Sequence, residues 1–210
     1  MVYHHSNVYS RDSPVQRSTM ALMRLFTGLD LPDEVVRNLE ALLARLRPTA
    51  RINWSPPANL HITTKFIGEW PEDRLPQLKA ALAALPERPP IEVEVAKVGF
   101  YPNARAPRVF WCGIEAPGLQ ALAVDTDGAT ATLGVARENR AYSPHLTLAR
   151  ITLARGKERP DLLPLDKAIA ASQSLDLGRF TARSFFLYHS HLRPTGSVYT
   201  KLAEFPFSKQ

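Results

Sequence analysis

One short pattern occurs twice in this chain, and it constrains the fold more than any other feature. Trp54-Ser-Pro-Pro-Ala-Asn-Leu-His-Ile-Thr in the first half is answered by Tyr142-Ser-Pro-His-Leu-Thr in the second. The two histidines, His61 and His145, stand 84 residues apart. Each copy runs from a proline-containing turn into an apolar strand bearing His-x-Thr. A strand motif repeated in each half predicts two related lobes. If the lobes face each other, the repeats meet in a central cleft. Side chains two apart on a strand share a face. His61 and Thr63 are therefore expected together, opposite Leu60, Ile62 and Phe66, and His145 with Thr147 opposite Leu146 and Leu148.

The rest of the chain supports this division. Residues 1–20 are polar and unpatterned and read as a disordered leader, with 21–210 as a single bilobal domain. Arg24 to Leu31 reads as a strand. Pro32 and Asp33 then open an amphipathic helix carrying Val35, Val36, Leu39, Leu42, Leu43 and Leu46, ended by Pro48. Leu60 to Ile67 is an expected strand closed by Gly68, and Leu75 to Leu85 a helix stopped by Pro86. Ile91 to Val98 alternates with period two, and Val109 to Ile114 follows after a turn. The second half gives a helix over Leu119 to Leu133, a strand over His145 to Ile151 and a helix over Pro164 to Ser172. Phe180 to Tyr188 and Ser197 to Leu202 complete it as late strands. Helices and strands are interspersed, yet many neighbouring strands lack a helix between them. That predicts antiparallel sheets with flanking helices, an α+β fold.

Composition narrows the function classes. The formal net charge of +6 favours anionic partners such as nucleic acid. No apolar run approaches the roughly 20 residues of a membrane helix. Ala21 to Leu31 is broken by Arg24 and Asp30 and lacks a cleavage site, so it does not read as a secretory signal. The lone cysteine, Cys112, excludes a disulfide framework and suits a reducing cytoplasm. There is no Gly-rich phosphate loop and no cluster of metal ligands, so no cofactor is expected.

His-x-Thr by itself is a weak signal, since a strand histidine beside a threonine is usually surface polarity. Two copies behind proline turns are more telling. Two imidazoles titrating near neutrality across a cleft can work as an acid–base pair, one taking a proton from water while the other protonates a leaving oxygen. Two threonine hydroxyls beside them suit a phosphoryl group, and no metal is required.

These segments resemble the 2H phosphoesterase superfamily, in the branch of RNA 2′,3′-cyclic phosphodiesterases long called 2′-5′ RNA ligases. Asn59-Leu-His-Ile-Thr-Thr-Lys-Phe-Ile-Gly is similar to the first signature, and Pro144-His-Leu-Thr-Leu-Ala-Arg to the second. Arg24-Leu-Phe-Thr-Gly-Leu-Asp-Leu-Pro, Pro107-Arg-Val-Phe-Trp-Cys-Gly, and Tyr199-Thr-Lys-Leu with Phe205-Pro-Phe extend the resemblance over residues 23–207. It implies a bilobal fold with pseudo-twofold symmetry, each lobe an antiparallel sheet backed by helices. It also implies hydrolysis of an RNA terminal 2′,3′-cyclic phosphate to a 2′-phosphate. By that resemblance His61 is the general acid, His145 the general base, and Thr63 and Thr147 bind the phosphoryl oxygens. Arg150, which ends the second signature, would bind phosphate; ideal alternation nonetheless sets it opposite His145, so it reaches the cleft only through a bulge or twist.

Other residues leave alternatives open. Phe26 and Tyr142 could stack on a base or pack inward, and Lys65 could hold phosphate or lie exposed at the strand end. Phe66 reads as core. His189 and His191 could be zinc ligands, but the resemblance sets them near the cleft, where substrate contact or surface polarity is favoured. Arg193 reads as a solvated loop residue. Arg105, Arg108, Arg137 and Arg140 could form a basic rim for an RNA chain or be solvated. Expected partners are RNA ends or small cyclic-phosphate nucleotides, with no membrane and no obligate protein partner, so a monomer. The competing functions are a phosphodiesterase of the same fold acting on another cyclic phosphate or 2′-5′-linked nucleotide, and a nucleotide- or RNA-binding module.

Overall fold

A computed structural model describes residues 21–152, 160–171, 176–193 and 196–208. The leader expected at residues 1–20 lies outside the described residues, as does Ser172 of the last expected helix. The chain runs β1 (Leu22–Leu29), α1 (Asp33–Leu46), β2 (Asn53–Trp54), β3 (Ile62–Pro71), α2 (Leu75–Ala83), β4 (Ile91–Tyr101) and β5 (Val109–Glu115). It continues through α3 (Pro117–Ala131), β6 (His145–Arg150), α4 (Leu163–Ala170), β7 (Asp176–Ala182), β8 (Ser184–Arg193) and β9 (Gly196–Pro206). The strands form two antiparallel sheets, ordered β3-β1-β8-β9 and β2-β6-β5-β4-β7. The α+β architecture with two antiparallel sheets is the one expected from the sequence.

The sheets are not built from the two halves of the chain in order. Phe180 to Tyr188, expected as one strand, is divided at Arg183: β7 joins the five-stranded sheet and β8 the four-stranded one. The helices cross over as well. α1 has acidic residues in its first turn, which its dipole favours, and buries Val35, Leu39, Leu42, Leu43 and Leu46. Although it follows β1, it packs against β7, where Asn38 donates to the Leu177 carbonyl (3.2 Å). α3 follows β5 but contacts β3 of the other sheet. It starts with Pro117 in its first turn, where the missing N–H costs nothing. Its buried Thr126 and Thr130 hydroxyls donate back to the carbonyls of Leu122 and Thr126. One continuous apolar core results, with Leu25, Leu29, Leu39, Leu43, Ile62, Phe110, Leu119 and Leu146 at 1% exposure or less. No helix among the described residues is long and apolar enough to cross a membrane.

Both motif-bearing strands are bulged. Along β3, Gly28 pairs with Thr63 and Thr27 with Lys65, so Thr64 is the extra residue. It turns inward and its hydroxyl meets that of Thr27 at 2.8 Å, both side chains buried. Gly28 is required here, because a Cβ would lie 2.6 Å from the Ile62 carbonyl oxygen. Gly68 does not close the strand as expected. It sits at φ +84° beside a second bulge, and β3 continues to Pro71. Along β6, Phe110 pairs with Ala149 and Trp111 with Thr147, so Leu148 is extra. A bulge reverses which residues share a face beyond it, with consequences at both repeats.

Candidate functional site

The chain enters each His-x-Thr segment in the same manner. Before β3, Pro57–Asn59 makes a short 3-10 turn that delivers His61, and the His61 Nδ1 lies 2.8 Å from the Asn59 carbonyl. His145 repeats this contact, its Nδ1 2.8 Å from the Ser143 carbonyl. A carbonyl only accepts, so each Nδ1 carries the proton and the neutral ring leaves its Nε2 lone pair available. Both imidazoles are thereby fixed in the tautomer that acid–base work through Nε2 needs.

The apolar sides of the two strands are as expected: Ile62, Leu146 and Leu148 are fully buried and Leu60 nearly so. Thr63 and Thr147 are half-buried beside their histidines. Hydrogen bonds cross between the repeats. Tyr142, before His145, donates from its hydroxyl to the Thr63 carbonyl (2.9 Å), and Ser55, before His61, donates to the Thr147 carbonyl (2.6 Å). β3 and β6 also contact each other between the sheets, which brings the two His-x-Thr segments together.

His61 is held in an aromatic setting supplied by distant parts of the chain. Phe26 from β1 lies against it at 4.6 Å between centroids, and Tyr199 from β9 meets it edge-on at 4.9 Å. Tyr188 from β8 stacks on Phe26 at 4.9 Å and hydrogen-bonds to Asp30, which also pairs with Lys201. Asn59 secures the turn by donating to the Ser197 carbonyl (2.6 Å). Burial pulls the His61 pKa below its ordinary value. Its bond to Asn59 and the charge of Asp30 oppose this, while Arg150 and His145 add to the lowering.

The bulges decide the less regular positions. Arg150 follows the extra residue Leu148, which removes the parity objection to its facing the cleft, and it is exposed at the end of β6. Phe66, expected in the core, follows the Thr64 bulge and is 61% exposed, with its ring 6.2 Å from Phe26. Phe66 and Arg150 both stand five residues after their histidine, so the repeats place a ring at one position and a cation at the other.

Three residues whose alternatives the sequence left open are engaged inside the fold. Lys65 is buried by the same bulge and turned to α3 and the segment after it, where its ammonium bonds Asp127 (2.6 Å) and the Ala136 carbonyl (2.8 Å). Phe26 is 3% exposed and lies under His61 rather than open to a base. Tyr142 packs on the core with its hydroxyl engaged by Thr63. Arg137 of the expected rim pairs with Asp127 at 3.4 Å. The rings of His189 and His191 lie against each other at 3.8 Å, inclined by 42°, and alternation along β8 places them on the face opposite Tyr188, away from His61. Among the described residues no group of three or more His, Cys, Asp or Glu stands together to hold a metal ion.

Sequence reasoning missed Tyr188, Tyr199 and Asp30 as neighbours of the site. Their signal was present for Tyr199, which opens the closing landmark, but only sheet order brings β8 and β9 beside β1.

Known proteins resemble this chain in sequence and in fold. Residues 29–111 match the family described as LigT-like phosphoesterase. The chain is 30% identical over 182 residues to the RNA 2′,3′-cyclic phosphodiesterase of Methanocaldococcus jannaschii, spanning 87% of this chain and 99% of that relative. It is 32% identical over 192 residues to the protein of the same name from Thermus thermophilus, spanning 87% and 89%. The crystal structure of TT0787 of Thermus thermophilus superposes with a TM-score of 0.72 at 30% identity, covering 88% of this chain and 98% of that one. Escherichia coli LigT complexed with 3′-AMP shares the fold, with a TM-score of 0.70 at 23% identity over 90% and 100% of the two chains.

Proposed function

The chain belongs to the LigT-like phosphoesterases of the 2H superfamily, and from that premise we propose that it hydrolyses RNA terminal 2′,3′-cyclic phosphates to 2′-phosphates with two imidazoles and no metal. The observation that carries this reading is the matched tautomer of His61 and His145, each bonded through Nδ1 to the carbonyl two residues before it. Each thereby keeps the lone pair on Nε2 for proton transfer, and positioned acid–base groups of this kind contribute about 10²–10⁴-fold apiece.

In the proposed reaction His145 takes a proton from water as its oxygen attacks phosphorus. The bond from phosphorus to O3′ breaks, and His61 gives its proton to O3′. The ribose keeps the phosphate on O2′ and regains a 3′-hydroxyl. Thr63 and Thr147 donate to the non-bridging oxygens, whose charge grows as water adds, and Arg150 supplies a fixed positive charge. Phe66 offers its ring to the terminal nucleoside on the His61 side, and Arg150 draws the phosphate toward His145. That polarity favours His61 as the acid at the leaving oxygen. A desolvated imidazolium is a strong acid, and the incoming phosphate anion supplies the countercharge that lets His61 carry its proton.

The test is incubation of the purified protein, in EDTA, with a short RNA ending in a 2′,3′-cyclic phosphate. The product end is then identified by phosphatase and periodate. A 2′-phosphate formed at an undiminished rate supports the proposal. A 3′-phosphate would overturn the assigned bond cleavage, and loss of turnover in EDTA would overturn the metal-free mechanism.

A further inference from the structure

Arg150 has a place in two features of the surface. It stands exposed at the end of β6, on the face that the Leu148 bulge gives it in common with His145, and its side chain also lines an open groove of about 720 Å³ on the five-stranded sheet. The groove lies between the β4–β5 turn and the residues just after β6. Arg150, Arg108, Arg105, Tyr101 and Thr152 form its polar lining over an apolar floor that includes Val109 and Ile151, and among the described residues no Asp or Glu lines it. Its volume falls within the range of about 300–1,000 Å³ typical of sites for bound molecules. The groove is held to the site by main-chain bonds, since Ile151 donates to the Arg108 carbonyl and Arg108 to that of Tyr101, both at 2.8 Å. Tyr101 is 52% exposed, and its hydroxyl accepts from Arg140 at 3.2 Å.

Three guanidiniums gathered along one groove attract a polyanion, and planar forks suit phosphate oxygens. An exposed aromatic ring among them favours a partner with flat bases over one carrying charge alone, since base stacking on aromatics is the usual means of holding single strands. Continuity through Arg150 makes the occupant the same molecule whose end enters the cleft. We propose that this groove binds the RNA chain on the 5′ side of the reacting nucleotide, with phosphates at Arg105 and Arg108 and a base on Tyr101. The enzyme is then selective for oligonucleotide ends over cyclic mononucleotides. This inference rests on the proposed function for the identity of the end, but its test separates the two.

The experiment compares a 2′,3′-cyclic mononucleotide with a short single-stranded RNA ending in the same cyclic nucleotide, using the full chain and the variants Arg108→Ala and Tyr101→Ala. Binding is followed in parallel by fluorescence anisotropy with the same RNA ending in a 2′-phosphate. The expected result is a kcat/KM for the oligonucleotide that falls about tenfold in each variant while the mononucleotide value holds. The salt dependence of RNA binding should also weaken in Arg108→Ala, by about 0.7 in log–log slope for one lost phosphate contact. Equal losses on both substrates, or RNA binding indifferent to both substitutions, would overturn the inference. RNA binding that depends on Arg108 and Tyr101, with neither cyclic phosphate hydrolysed, would uphold the groove and overturn the proposed reaction instead.

Discussion

The hydroxyl of Tyr142 donates a 2.9 Å hydrogen bond to the main-chain carbonyl of Thr63, tying the turn before one histidine to the strand after the other. Ser55 returns the link, donating to the carbonyl of Thr147 at 2.6 Å. The bonds run between the repeats rather than within them. The separation of His61 and His145 is therefore fixed by hydroxyls that each repeat takes from its counterpart, and neither bond occupies a group that faces the substrate.

Tyr142→Phe keeps the packed ring and removes only the crossing bond. The expected cost in stability is about 1 kcal/mol. The expected kinetic effect is a kcat reduced about tenfold with KM changed little, because misplacing one proton-transfer group costs turnover more than binding. Steady-state kinetics on a cyclic mononucleotide, with denaturant unfolding alongside, checks this. A KM effect at constant kcat would show that the bond serves binding instead.

The lowered pKa of His61 has a sign that can be measured. The ordinary value is 6.5 and burial in the folded protein depresses it. Between the two values the unfolded chain binds more protons, so stability rises with pH through that interval. This contribution is fully present above 6.5 and is lost as pH falls toward the folded value. Inorganic phosphate in the cleft should raise the His61 pKa, because an anion favours the imidazolium. Titration of the ring protons by NMR, with and without phosphate, should show a value below 6.5 that moves upward. A value that phosphate leaves in place would separate His61 from the phosphate site.

Lys65→Ala tests the ion pair beneath the site. Burial alone would raise the Asp127 carboxyl, but the Lys65 hydrogen bond, the Glu138 amide and the charges of Lys65 and Arg137 hold it below the ordinary value. Removing Lys65 leaves Asp127 with the exposed Arg137 as its remaining ion-pair partner. Breaking one side of a buried pair costs about 3–5 kcal/mol. A urea midpoint lowered to that extent is expected, and a loss under about 1 kcal/mol would indicate a solvated pair.

The histidines, threonines and their turns were legible because their positions depend on local order alone: a proline turn, a period of two and an apolar reverse face. What failed were readings that counted past a bulge. Phe66 and Lys65 exchanged their expected settings because Thr64 is an extra residue in β3, and Arg150 depended likewise on Leu148. A bulge is a relation between two strands and leaves little trace in either. The crossing of the chain between sheets at Arg183 was hidden as well, since no Pro or Gly separates β7 from β8. The aromatic setting of His61 needed sheet order, because Tyr188 and Tyr199 lie more than a hundred residues from the motif they support.

The central claim is that His61 and His145 are the acid–base pair. The most direct measurement is single-turnover hydrolysis of an RNA 2′,3′-cyclic phosphate by His61→Gln and His145→Gln, with folding checked by circular dichroism. Two folded proteins are expected, each slowed at least about 10²-fold. A folded variant of either histidine that keeps a near-normal rate would contradict the claim.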